Sequence, residues 1–393
     1  MEPPRTDARA LAAAGLDALR RGDARVARES FEQIVRQGEA DAGSLLALAH
    51  ACSRLNDAPA ALATLDKLLA QEPRNIRALI LKADQLAALG DDRAASSHYQ
   101  FAVQAAPSPD QLPPELVREI ERAKSMGGRY AQKFEQFLLD RLGVADDGTS
   151  PASARFRQSL DIMAGRKNIY FQQPQAYYFP ELPQIQFYDR GLFPWMDAVE
   201  AATSAIRAEA AAALKDGSGF RPYVEGDPRR PRKEQSGMTD NPDWSAFYLW
   251  KNGEVVPENA ARCPQTMAAL ANVPLAQVSN RSPSVLFSLL RPGARIPPHS
   301  GLVNTRLICH LPLIVPPGCG LRVGNDSRAP VEGNAWAFDD TVEHEAWNGS
   351  REPRVILLFE VWRPELSEDE RALVRAMFDA IDAYSGQKPT WSI

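Results

Sequence analysis

Cysteine, histidine and uninterrupted apolar stretches are all scarce in this chain of 393 residues. The four cysteines, Cys52, Cys263, Cys309 and Cys319, contain no C-x-x-C pair. Four are too few to staple a chain this long, so a disulfide framework is excluded and reduced thiols in a cytoplasmic setting are expected. No uncharged apolar run nears the roughly 20 residues of a membrane span. The first fifteen residues carry Arg5, Asp7 and Arg9 and lack the apolar core of a signal peptide. Lys and Arg number 45 against 50 Asp and Glu, a net charge of -5, so there is no basic field to hold nucleic acid. With only five histidines in the chain, where they fall is informative.

What is present is ordinary for a soluble globular protein: 44% hydrophobic and 24% charged residues. At roughly 150 residues per domain, two or three units are expected.

The first third repeats itself. Ala27, Ala61 and Ala95 share one period, as do Phe31, Leu65 and Tyr99. Gly22-Asp23, Asn56-Asp57 and Gly90-Asp91 keep the same register, and Pro73 and Pro107 close the second and third units. Each unit reads as two amphipathic helices joined by a polar turn. Gly and Asn suit that turn because they accept positive φ, and Ala lets the paired helices approach closely. Over residues 8 to 107 this resembles the tetratricopeptide repeat family, with a small Gly15 where that pattern wants one. Ala18 and Glu39 depart from it in the first copy. Stacked repeats of this kind imply a concave surface for a protein partner.

Beyond Pro107 the register breaks at PSPDQLPP. A charged helix is expected from Glu115 to about Leu142, then a linker over residues 144 to 153. An amphipathic helix follows at about Trp195 to Leu214. The basic run PRRPRKE, 228 to 234, reads as a solvated loop. The domains are therefore 1–110, helical repeats; 111–164, connector; and 165–393, a β-rich domain ending in one helix. Ser367 and Glu370 form a capping box for that last helix.

From Ser284 short β-runs alternate with turns: 285–290, 306–315, 321–324, 335–338 and 354–362, the pattern of a sandwich or barrel. Three of the five histidines lie here: His299, His310 and His344. A non-haem iron(II) oxygenase needs imidazoles on one face of the metal and open positions opposite. It also needs a cation for the distal carboxylate of 2-oxoglutarate, a role that suits arginine's planar fork. His299, then His344, then Arg354 is the order expected of a jelly-roll barrel of that type.

The stretches PHSGLVNTRLICHLPLIVPPGCGLRVGN and FDDTVEHEAWNGSREPRVILLFEVWRPEL resemble the aspartyl/asparaginyl β-hydroxylase family, and the likeness extends over about residues 165 to 366. It implies a multidomain α + β protein. A tetratricopeptide-like α-solenoid would precede a double-stranded β-helix (jelly-roll or cupin-like) that uses iron(II), 2-oxoglutarate and dioxygen. By the same resemblance His299 and His344 ligate the metal. Gly301 stands where most related oxygenases carry a carboxylate, a gap this family is known for, and water would take that place. Arg354 would clamp the 2-oxoglutarate carboxylate with Ser288 beside it, and His310 would make a further cosubstrate contact. Arg306, on the same strand face as His310, is a candidate for an anionic group of cosubstrate or substrate. Asp339, Asp340 and Glu343 are read as turn formers and hydrogen-bonding support for the ligands. Trp336, Trp347 and Trp362 are read as core or pocket wall.

One departure bears on the substrate. Members acting on Asp or Asn in growth-factor-like domains tend to be basic at the positions of Ile308 and near Leu286, which are apolar here. The expected activity is β-carbon hydroxylation of an aspartyl or asparaginyl residue in a peptide or protein, releasing succinate and carbon dioxide. The alternatives are the same chemistry on a free or carrier-bound amino acid or a lipid, and a repeat scaffold with an inactive barrel.

Overall fold

The computed structural model of the protein describes residues 7–142, 151–226, 237 and 239–385. Residues 144–150 of the expected linker and the basic run 228–234 lie outside them. The chain divides into two compact units, Met1–Asn168 and Ile169–Ile393.

In the first unit, three helix pairs follow the sequence period: α1 Ala8–Arg21 with α2 Ala24–Gln37, α3 Ala42–Arg54 with α4 Ala58–Gln71, and α5 Ile76–Ala88 with α6 Asp92–Ala105. Gly22, Asn56 and Gly90 take φ of 84°, 57° and 81°, the left-handed turn the pattern predicts. Asp23, Asp57 and Asp91 then cap the second helix of each pair, accepting from the backbone N–H of Val26, Ala60 and Ala94 at 3.2, 3.1 and 3.0 Å. Ala27, Ala61 and Ala95 are completely buried. Gly15 is small because a Cβ there would sit 2.7 Å from the Phe31 ring. The charged helix α7, Pro114–Leu142, covers the last repeat, stacking Tyr130 on Tyr99 at 6.3 Å. Arg122 of α7 meets Asp84 through two bonds of 2.8 Å. The expected linker is shorter than its composition suggests. Helix α8 spans Pro151–Met163, with the proline in the first turn, where its missing N–H costs nothing.

The second unit is built on two antiparallel sheets. The larger has the order β1 (Arg221–Pro222), β2 (Trp244–Lys251), β4 (Val285–Leu290), β11 (Arg354–Trp362), β6 (Arg306–Ile314), β9 (Trp336–Phe338), with β3 (Glu254–Val255) paired to β2. The smaller runs β5 (Arg295–His299), β10 (His344–Asn348), β7 (Cys319–Val323), β8 (Asp326–Arg328). The strand β2 was not expected from sequence. Its run WSAFYLWK lacks polar alternation because both of its faces are covered.

Period two sorts the large sheet's side chains. Phe247, Phe287, Leu289, Leu307, Cys309, Leu311, Val355, Leu357 and Phe359 face a helical layer containing Met196, Ile206 and Ala210. Leu286, Leu290, Ile308 and Leu358 face the small sheet with Ile296, Leu321, Val323 and Ala346. A strand slipped by one residue would exchange these faces. The helix expected at 195–214 is two, α9 Met196–Ala201 and α10 Thr203–Asp216. They part at Ala202, where the Thr203 hydroxyl bonds back to the Glu200 carbonyl at 2.6 Å. Two short helices, α11 Pro257–Arg262 and α12 Pro264–Ala269, lead towards β4. The last helix, α13 Glu368–Ser385, has its predicted capping box: Ser367 N–H donates to Glu370 at 2.8 Å and Glu370 N–H to Ser367 Oγ at 3.3 Å. Its Val374 and Phe378 pack on Trp362, Val303 and Val278.

Candidate active site

The two histidines that the sequence keeps far apart are direct cross-strand partners: His344 of β10 pairs with His299 of β5. The strand β5 lies at a sheet edge, which is why it tolerates Pro297 and Pro298. The two ring centroids stand 4.1 Å apart. Each Nδ1 faces a backbone carbonyl, of Pro297 at 2.9 Å and Val342 at 3.1 Å. A carbonyl only accepts, so Nδ1 carries the proton and Nε2 keeps a free lone pair. Burial holds both rings below the ordinary histidine range, and the neighbouring His299 pushes His344 lower still. Two neutral imidazoles with free Nε2 atoms on adjacent strands are a donor set for a divalent metal.

Both rings border a cavity between the sheets. Ser288, His310 and Arg354 also line it. Arg354 is 2% exposed, and its Nε has no hydrogen-bond partner. Burial pushes its guanidinium down to about 10, so it stays charged at neutral pH. Ser288 lies on the neighbouring strand facing the same cavity, and its Oγ accepts from Trp244 Nε1 at 3.3 Å. That leaves the hydroxyl proton available to a ligand. His310 is buried against Phe338 and Trp336 and held well below its ordinary range by burial, with Arg354 adding to the effect.

Arg306 has a different setting from the one its sequence position suggests. It is buried, but its charge meets two carboxylates of the chain itself, Asp340 at 3.0 Å and Glu360 at 3.2 Å. It is not among the residues lining the cavity. Asp340 does line it, and its Oδ1 is buried without a partner. Burial raises the Asp340 carboxyl to about 6, against the pull of Arg306.

Asp339, one residue earlier, is saturated. Its carboxylate accepts from Gln172 Nε2 (2.7 Å), Arg363 (2.9 Å), and the Thr341 N–H (3.0 Å) and hydroxyl (2.5 Å). Arg363 is fully buried and also donates to the carbonyls of Pro183 and Asn304 and to the Tyr188 hydroxyl. This network fixes the turn leading into His344.

Sequence reading did not single out Tyr223 and Trp244, which stack 4.2 Å apart at the cavity wall. The aromatic run at 244–250 was the available signal. Trp336 touches the site through His310, while Trp362 belongs to the core beneath α13. Trp347 lies against Arg295, 5.9 Å from the guanidinium. Among the described residues no group of three or more His, Cys, Asp or Glu side chains is placed to hold a metal, so the candidate donors are this histidine pair.

Gly301 is a packing requirement. A Cβ there would stand 2.0 Å from Asp340 Oδ2, and Gly301 N–H also donates to the Asp340 carbonyl at 2.7 Å. Gly301→Ala should therefore cost about 1–3 kcal/mol of stability, read from chemical denaturation. An unchanged midpoint would mean that Asp340 moves aside freely.

The buried histidines also set a pH dependence. His299, His310 and His344 have folded values below the ordinary 6.5. As pH falls, the unfolded chain protonates them first. Stability is thus full above pH 6.5 and erodes below it, by up to about 1.4 kcal/mol per pH unit for each histidine. Asp340, whose value is raised, works in the opposite sense, one group against three. The denaturation midpoint of metal-free protein should be level from pH 8 to 7 and decline towards pH 5. A level profile throughout would show that these rings are not held neutral.

Residues 200–364 match the family described as Aspartyl/Asparaginyl beta-hydroxylase. Mouse Aspartate beta-hydroxylase domain-containing protein 1 is 31% identical over 252 residues, 63% of this chain and 65% of that protein. The Xenopus tropicalis Aspartate beta-hydroxylase domain-containing protein 2 is 30% identical over 211 residues, 53% of this chain and 55% of its own length. The chain thus spans between about half and two thirds of these relatives. Among solved structures, the Yersinia enterocolitica type III secretion translocator chaperone SycD aligns with 32% of this chain and 85% of its own, at 17% identity and a TM-score of 0.30. No helix among the described residues is long and apolar enough to cross a membrane. Residues 200–364 are thus similar to the aspartyl/asparaginyl β-hydroxylase family, and the first unit carries tetratricopeptide-like repeats.

Proposed function

We propose that the second unit is an iron(II)- and 2-oxoglutarate-dependent dioxygenase that hydroxylates the β-carbon of an aspartyl- or asparaginyl-type residue in a peptide or protein. The observation that carries this reading is Arg354. A guanidinium buried in an apolar cavity with an unpartnered Nε is costly unless an anion arrives to meet it. It lines the same cavity as two neutral imidazoles with free Nε2 atoms. A short dicarboxylate that reaches from a metal to a cation fits those two ends.

His299 and His344 would hold the metal through Nε2, with their Nδ1–H bonds to Pro297 and Val342 fixing the ring planes. When bound, iron(II) activates dioxygen while 2-oxoglutarate is oxidised to succinate and carbon dioxide, and one oxygen atom enters the substrate C–H bond. Arg354 would take the distal carboxylate through paired N–H donors, and Ser288 would add its hydroxyl, freed by the bond it accepts from Trp244. His310 would present an uncharged ring edge to the same ligand. The apolar walls, Ile296, Leu321, Phe338 and Leu358, exclude water and strengthen each of these interactions. The repeat unit would capture a protein substrate or partner on its concave face.

The test is calorimetric binding of 2-oxoglutarate to the metal-loaded protein, together with succinate release. Tight binding and iron-dependent succinate support the reading. A protein that binds neither iron nor 2-oxoglutarate would favour the scaffold alternative.

A further inference from the structure

The charges around the cavity limit what the second substrate can be. Of its lining residues Asp340 brings the one carboxylate and Arg354 the one guanidinium. Arg354 has one buried guanidinium to offer, and in the dioxygenase reading the cosubstrate takes it. Arg306, a buried cation that reaches Asp340, is shared between Asp340 and Glu360. That cluster holds two carboxylates against one guanidinium, and Glu360 is further engaged by the Ser282 hydroxyl and the Ser284 N–H at 2.8 and 2.9 Å. The rest of the wall is mainly apolar, Ile308, Ile356, Leu358 and the Tyr223–Trp244 stack among it.

A substrate carboxylate entering this space would meet Asp340 with no free cation among the described lining residues. Burying an unpaired anion beside another is strongly unfavourable. Asp340 Oδ1, in contrast, is a buried acceptor at the cavity wall that still lacks a donor. A group with no charge and an N–H to give satisfies both conditions. We infer that the site selects a side-chain carboxamide over the matching carboxylate, with Asp340 Oδ1 accepting from the amide nitrogen beside the apolar wall. This rests on the dioxygenase reading only in assigning Arg354 to the cosubstrate.

The experiment uses the full chain loaded with manganese(II) and 2-oxoglutarate under anaerobic conditions, so that binding is read without turnover. Two pools of short peptides with identical randomised flanks, one centred on Asn and one on Asp, are incubated with it, and the retained fraction is measured by mass spectrometry. The Asn pool should be retained at least about tenfold better than the Asp pool. In Asp340→Asn, which removes the repelling charge and the free acceptor, that ratio should fall towards unity while 2-oxoglutarate binding persists. Equal or better retention of the Asp pool overturns the inference, as does retention of neither. Failure of 2-oxoglutarate itself to bind, measured before any peptide is added, would instead indict the dioxygenase reading.

Discussion

His344→Ala is expected to leave a folded protein that neither retains iron(II) nor releases succinate above background. With two candidate metal donors among the described residues, losing one would leave a single imidazole, and a lone imidazole holds a labile ion weakly. Substitutions that merely disturb the hydrogen bonds behind a ligand commonly cost about 10–100-fold in metal affinity or activity. Removing the ligand itself should exceed that range. His299→Ala should behave alike, since the two rings face each other across one strand pair. Folding should survive because His344 contributes no side-chain bond beyond the one to its own turn, at Val342. The measurements are iron content after desalting and succinate by mass spectrometry. A variant that keeps its iron and its turnover would show that the metal sits elsewhere.

Arg354→Met should produce opposite changes in two properties. An unpaired guanidinium in the interior costs several kcal/mol, and no ion pair in the structure offsets that cost among the described residues. Methionine fills similar space without charge, so the variant should be more stable than the parent when no ligand is present. Cosubstrate affinity should move the other way. Removing one partner of a buried charged pair costs about 2–5 kcal/mol, some 30-fold to several thousandfold in Kd. Added 2-oxoglutarate should raise the melting temperature of the parent by mass action and leave that of Arg354→Met unchanged. Loss of stability on substitution would mean that the guanidinium already has a structural partner. Undiminished 2-oxoglutarate binding would remove Arg354 from the site.

How much of this was legible in the sequence depends on the range of the contacts. The repeats were readable because their determinants are local and periodic: a left-handed turn, an aspartate cap and a buried alanine recur together. The large-sheet strands from Val285 onward were readable as apolar runs between turns, whereas Trp244–Lys251 was not set apart from the aromatic text around it. His299 and His344 could be named from order and resemblance, but their facing geometry follows from strand register. Arg306 shows the limit. Its strand face was inferable, but its partners, Asp340 and Glu360, lie on other segments, and only the fold brings them together. The same holds for Gly301, where an apparent omission is space already filled by the Asp340 carboxylate.

The family signature begins at residue 200, but the cooperative unit begins earlier. Gln172, Pro183 and Tyr188 all converge on Asp339 and Arg363 in the barrel interior. A fragment trimmed to the signature would take three hydrogen bonds from this guanidinium–carboxylate pair, directly behind the turn that leads into His344. The irregular segment upstream is therefore the inner brace of the second unit, and a recombinant domain has to include it to stand alone.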